Sequence, residues 1–140
     1  MALSERVVAD TSVLTRVQRP EVDTQVAPAI VGGLIHTCAI VRLEVMRGLQ
    51  SRARWRIALD NLRELPEIPI TAETWMRAEE VQGLLVSRSH HTAVKIADLV
   101  IAAVAEIAGL PVIHYDRDFD LIAEVTGQDA RWVVPKGSID

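Results

Sequence analysis

The segment from Ile96 to Ala108 constrains this chain more than any other. It is almost wholly apolar, and Leu99, Val100, Ala103, Val104 and Ile107 recur at helical spacing. A helix of that composition is built for burial, so the remaining elements have to surround it. Gly109 stops the helix, Pro111 follows, and Val112-Ile113 reads as a short buried strand. Directly after it comes Asp116-Arg117-Asp118-Phe119-Asp120, with three carboxylates close together. Asp98 is the anomaly: a carboxylate near the start of a buried helix is costly unless a cation meets it. A strand ending in acids beside a helix carrying another acid is the layout of a metal site.

The rest of the chain supplies what that core needs. At 140 residues, 49% of them hydrophobic, it has the bulk of one domain, expected to span 1–140. No apolar run reaches the roughly 18 residues of a membrane span. The N-terminus lacks the charged-then-apolar layout of a signal peptide, and a lone cysteine, Cys38, fits a reducing cytoplasm. A net charge of -4 argues against nonspecific nucleic-acid binding, although clustered acids offset any basic rim in that average.

Arg6 to Asp10 reads as a first strand ending on an acid, with Thr11 or Ser12 capping a short helix from Val13. Glu21 to Leu34 gives a second helix that Pro28 is expected to kink or divide, and His36 to Ala39 a second strand. Helices follow around Val41 to Leu49 and from Ser51 to Leu65. Pro66 to Ile70 reads as a third strand, at a sheet edge because of its prolines. Thr71 caps a long helix to Val86, a short helix holds Leu121-Ile122, and Arg131 to Val134 makes a last strand. Alternating strands and helices predict an α/β fold, a parallel central sheet flanked by helices on both faces. Ligands bind such sheets beyond the carboxyl ends of the strands, where Asp10 and Asp116 stand and where Glu44 and Asp98 can face. Converging carboxylates repel one another, and the remedies are protonation or a hard divalent cation; oxygen ligands suit Mg²⁺ or Mn²⁺, and the natural chemistry of such a metal is phosphodiester hydrolysis.

These residues carry a resemblance. Val8-Ala9-Asp10-Thr11-Ser12, Glu44 in VRLEVMRG, Asp98 in IADLVIAAVA and Asp116 in HYDRDFDLIA are similar to the acidic motifs of PIN-domain ribonucleases, above all the VapC toxins of toxin–antitoxin pairs. The likeness covers essentially the whole chain. It implies a PIN-like fold and a metal-dependent endoribonuclease, commonly a homodimer, that cuts RNA and is held inactive by a VapB-like antitoxin. Carried over residue by residue, it implies Asp10, Glu44, Asp98 and Asp116 as the catalytic, metal-binding acids. Asp118 is a further candidate ligand and Ser12 a supporting hydrogen-bond partner. The chain departs from the pattern at His114, where many members have a small hydroxyl residue, and at Cys38 and Val41, where hydroxyls precede the glutamate.

Plainer readings stand beside each of these. Asp10 is also suited to capping a helix, Glu44 and Asp98 to first turns, and Asp118 and Asp120 to the surface. The arginines at 42, 47, 52, 54 and 56 suit RNA phosphates, an acidic antitoxin segment or a solvated face. Trp55, Trp75 and Trp132 suit base stacking or packing. His36, His90, His91 and His114 with Cys38 do not make a zinc spacing. An aspartate-dependent phosphatase of the haloacid-dehalogenase kind needs a second aspartate where Ser12 stands. A catalytically silent PIN-like binding module is the non-enzyme alternative.

Overall fold

The computed structural model describes residues 3–140. In chain order its elements are β1 (Val7–Ala9), α1 (Thr11–Leu14), α2 (Pro20–Val31), β2 (Ile35–His36), α3 (Ala39–Arg47) and α4 (Arg52–Leu62). They continue with α5 (Ala72–Val86), α6 (Ile96–Ala108), β3 (Val112–His114), α7 (Asp118–Thr126) and β4 (Ala130–Trp132). The strands form one sheet in the order β2-β1-β3-β4, every pairing parallel. This is the α/β architecture expected from the alternation of patterns.

Side chains leave a strand on alternate faces, so β1 feeds two cores. Val7 and Ala9 join Val22, Val26 and Ala29 of α2, together with Ile35 and Ile113. Val8 joins Leu99 to Ala105 of α6, Val81 and Leu85 of α5, and Phe119 and Ile122 of α7. Each large aliphatic side chain so enclosed contributes about 1.5–3 kcal/mol. Every residue from Leu99 to Ala105 is buried because α6 touches β1 on one side and α3, α5 and α7 on the others. At its end Gly109 adopts φ 70°, the left-handed conformation that glycine enters without a Cβ clash. That turn lets the Leu110 N–H bond the Ala105 carbonyl at 3.0 Å and delivers the chain into β3.

Several boundaries differ from the sequence reading. Residues 66–70 form no strand: Thr37 and Glu67 make an isolated bridge, and Pro66 and Pro69 lack the N–H groups a ladder needs. The second strand is Ile35–His36, because Cys38 already caps α3. Pro28 does not divide α2, whose last turn closes by Gly32 N–H to the Pro28 carbonyl at 3.0 Å. The cap of α1 is Asp10, with a carboxylate oxygen on the Ser12 amide, and neither Thr11 nor Ser12. The last strand ends at Trp132, although Val133 and Val134 remain buried beyond it. No helix among the described residues is long and apolar enough to cross a membrane.

Candidate metal centre

The parallel sheet brings the ends of β1 and β3 side by side, and with them Asp10 and Asp116. Asp10 is 3% exposed. Its Oδ2 accepts the Ser12 amide at 3.0 Å and the Ser12 hydroxyl at 2.5 Å, while Oδ1 is buried with no donor. One carboxylate therefore caps a helix with one oxygen and keeps the other free of hydrogen bonds. The Ser12 Oγ in turn accepts the Tyr115 amide at 2.8 Å, tying the exit of β1 to that of β3. Glu44, on α3, comes within reach of Asp10 and Asp98. The Thr11 hydroxyl donates to its Oε1 at 2.6 Å.

Asp98 sits in the first turn of α6, 2% exposed, at the centre of the acids. Ligand oxygens of Asp10, Glu44 and Asp98 lie within 4.8 Å of one another, and so do those of Asp98, Asp116 and Asp118. The five acids thus form two triads that share Asp98. The cation expected to meet it is Lys95, one turn back, with Nζ 3.2 Å from Asp98 Oδ2, 2.7 Å from Asp116 Oδ2 and 2.9 Å from Asp118 Oδ2. Toward Asp98 the contact is one of charge alone: Oδ2 accepts no well-aligned hydrogen bond. Asp118, 4% exposed, also accepts the Lys95 amide at 3.0 Å, and its own amide donates to Asp116 Oδ1 at 2.9 Å. Asp120 stands apart and receives the Trp132 indole N–H at 3.0 Å.

Electrostatics follow from this crowding. Burial pushes the Asp10 carboxyl above its ordinary value, and the Glu44 charge adds to that, against the Ser12 hydrogen bonds. Asp98 is pushed up to about 8 by burial, by its hydrogen bond with Asp118 and by the Asp10 charge, with Lys95 offsetting part. Burial also opposes the Asp118 charge. The hydrogen bonds from Asp98 and Lys95 outweigh it and hold Asp118 below the usual range. Without a metal, one proton is shared between these two acids and resides on Asp98. The Lys95 ammonium is partly desolvated, yet its carboxylate partners hold its pKa well above that of a free lysine.

A divalent ion suits the first triad. Asp10 Oδ1 is buried and unpartnered, and the donor set is all oxygen, as Mg²⁺ and Mn²⁺ prefer. His114 has another task. It is fully buried, stacked on Phe119 with centroids 4.9 Å apart, and its Nδ1 accepts the Asp116 amide at 3.2 Å. Burial lowers its pKa to about 4, so the ring is neutral and fixes the backbone that carries Asp116. The sequence reading gives Lys95 no role and Thr11 only that of a helix cap. A lysine three residues before a buried aspartate is a legible signal at helical spacing, whereas Thr11 meets Glu44 only through the tertiary fold.

The arginines divide. Arg42 pairs with Glu67, and Arg56 lies 3.7 Å from Asp60. Arg42, Arg47 and Arg63 rim a groove of about 410 Å³ between α3 and α4, with Leu43, Met46 and Trp55 along its apolar wall. Trp132 is a packing residue, edge-on to His114 and Tyr115. Trp75, half exposed, lines a shallow groove between α5 and α6.

This geometry has relatives. The PIN domain family matches residues 7–125. Ribonuclease VapC18 of Mycobacterium tuberculosis (strain ATCC 25618 / H37Rv) is 43% identical over 132 residues, 93% of this chain and 96% of that protein. Ribonuclease VapC51 of the same strain is 44% identical over 131 residues, 94% of this chain and 95% of the relative. Among solved structures, DNA-bound VapBC from Salmonella typhimurium aligns with a TM-score of 0.75 at 14% identity, covering 94% of this chain and 100% of that one. At such low identity this is a likeness of fold. With the match running from β1 into α7 and close relatives along nearly the full length, the chain belongs to the PIN-domain family, beside ribonucleases of the VapC type.

Proposed function

We propose that this chain is a Mg²⁺- or Mn²⁺-dependent endoribonuclease, the toxin of a toxin–antitoxin pair, acting in the cytoplasm as one PIN-like unit and as a homodimer. The observation that carries the reading is the convergence of ligand oxygens of Asp10, Glu44 and Asp98 within 4.8 Å, with Asp10 Oδ1 buried and without a donor. Relatives named as VapC ribonucleases and neighbours solved as VapBC assemblies support the choice of RNA as substrate and of an antitoxin as partner.

Asp10, Glu44 and Asp98 would hold the ion, with Asp116 and Asp118 behind Asp98 setting its charge and direction. A bound divalent cation would polarise a phosphoryl oxygen and make a water more acidic. The side chains do the rest. Ser12 keeps Asp10 turned so that one oxygen faces the site, and Thr11 fixes Glu44, which orients the attacking water against phosphorus. The groove between α3 and α4, apolar within and rimmed by Arg42, Arg47 and Arg63, suits an amphipathic, acidic segment of the antitoxin.

The test is cleavage of structured and unstructured RNA by wild type and Asp98→Asn with Mg²⁺, Mn²⁺ or EDTA. Metal-dependent cutting by wild type, lost in the variant, is the expected result. Equal cutting by both removes Asp98 from the mechanism. Silence from antitoxin-free wild type on cellular RNA replaces the nuclease with a binding module.

A further inference from the structure

Lys95 is the caps-side neighbour of Asp98, and what its ammonium occupies is a cation position. Among the described residues no cation pairs with Asp10 or Glu44, whereas Nζ meets all three acids of Asp98-Asp116-Asp118. The three N–O distances of 2.7–3.2 Å are those of an ammonium among carboxylates. The side chain is 57% exposed along its length, so it reaches the acids from outside with its tip. Two restraints hold that approach: the Lys95 amide bonds the same Asp118 oxygen that Nζ does, and the Asp118 amide bonds Asp116. Asp98 Oδ2, buried and short of a donor, faces this position.

We propose that Lys95 is a tethered second cation: the chain works with one divalent ion at Asp10-Glu44-Asp98 and an ammonium where a second ion would otherwise sit. The inference deepens the metal-site reading above and rests on it for the first ion. The physical reason is charge. Five carboxylates in contact leave a large negative excess that one divalent ion does not cancel, and a lysine built into the start of α6 offsets part of the remainder without recruitment from solution. Lys95 is accordingly a positioning residue. It holds Asp116 and Asp118 and meets the Asp98 oxygen that faces them.

The experiment counts Mn²⁺ per chain by titration calorimetry on wild type, Lys95→Met and Lys95→Arg, with thermal unfolding in EDTA alongside. Methionine keeps the apolar stem and removes the charge. One Mn²⁺ is expected in wild type and in Lys95→Arg. Lys95→Met should bind two, the second at least tenfold tighter than any second ion in wild type, and should unfold at lower temperature in EDTA. Two tight ions in wild type, or one in Lys95→Met, overturns the proposal. No ion in wild type with one in Lys95→Met keeps Lys95 in its place and refutes the first-triad reading instead. Should Lys95→Met fail to fold without metal, refolding in Mn²⁺ must restore it, because the added ion replaces the lost charge; failure there also overturns the proposal.

Discussion

Asp98 offers a prediction whose sign runs against the usual cost of a core substitution. Asp98→Asn keeps the size and one carbonyl oxygen of the residue but removes its charge from a position 2% exposed, between Asp10 and Asp118. In the metal-free protein at pH 7 the carboxyl, held up to about 8 against an ordinary 3.8, carries a proton that the unfolded chain releases. Holding that proton costs about 4 kcal/mol at pH 7 if Asp98 bears it alone. Sharing with Asp118 reduces the figure, so the variant should gain about 1–4 kcal/mol, or roughly 3–12 °C in Tm at this chain length. The sign of the pH dependence follows. Between 3.8 and 8 the native state binds a proton the unfolded state does not, so wild-type stability falls as pH rises, and the gain from Asn grows over that window. Below pH 4 the two proteins should be alike. Mg²⁺ or Mn²⁺ should reverse the order, stabilising wild type and leaving the variant nearly unmoved. The assay is urea or thermal unfolding in EDTA from pH 4 to 8, then with metal. A variant less stable than wild type in EDTA at pH 7 would refute the reasoning, since the Lys95 ion pair would then outweigh burial.

Two further outcomes follow from groups around the acids. Thr11→Val removes the 2.6 Å bond to Glu44 without changing shape, and should weaken metal affinity or RNA cleavage about tenfold or more while leaving Tm in EDTA near wild type. Unchanged affinity and rate would show that Glu44 needs no such guide. His114 is neutral in the fold, lowered to about 4 from 6.5, so its contribution is complete above pH 6.5 and is lost as pH falls toward 4. His114→Phe keeps the stacking on Phe119, and the wild type should lose up to about 3 kcal/mol more than the variant over that interval. Parallel pH profiles in EDTA would show that the ring is not shielded.

Much of this was legible in the sequence for reasons that operate locally. The apolar run of α6, the stop at Gly109, the acids after β1 and β3 and the α/β alternation all follow from periodicity and backbone preference, which need no distant partner. The burial of Asp98 followed too, from the company it keeps along one helix. What was not legible had both local and distant causes. Residues 66–70 have a strand's composition, but prolines at 66 and 69 leave only one bridge to Thr37 at the sheet edge. Of the three cap candidates after β1, Asp10 rather than Thr11 or Ser12 takes the role, with one oxygen on the Ser12 amide. That the five acids divide into two triads, one gathered around an ammonium and one meeting it only through Asp98, is set by distances between Asp98 and partners after β1, on α3, after β3 and on α7. Sequence determined which charges this protein carries to its sheet edge, because local patterning fixes the order and ends of the elements. Only the tertiary structure decided how those charges pair, because Coulomb energies depend on separations of a few ångströms and on burial that no linear spacing encodes.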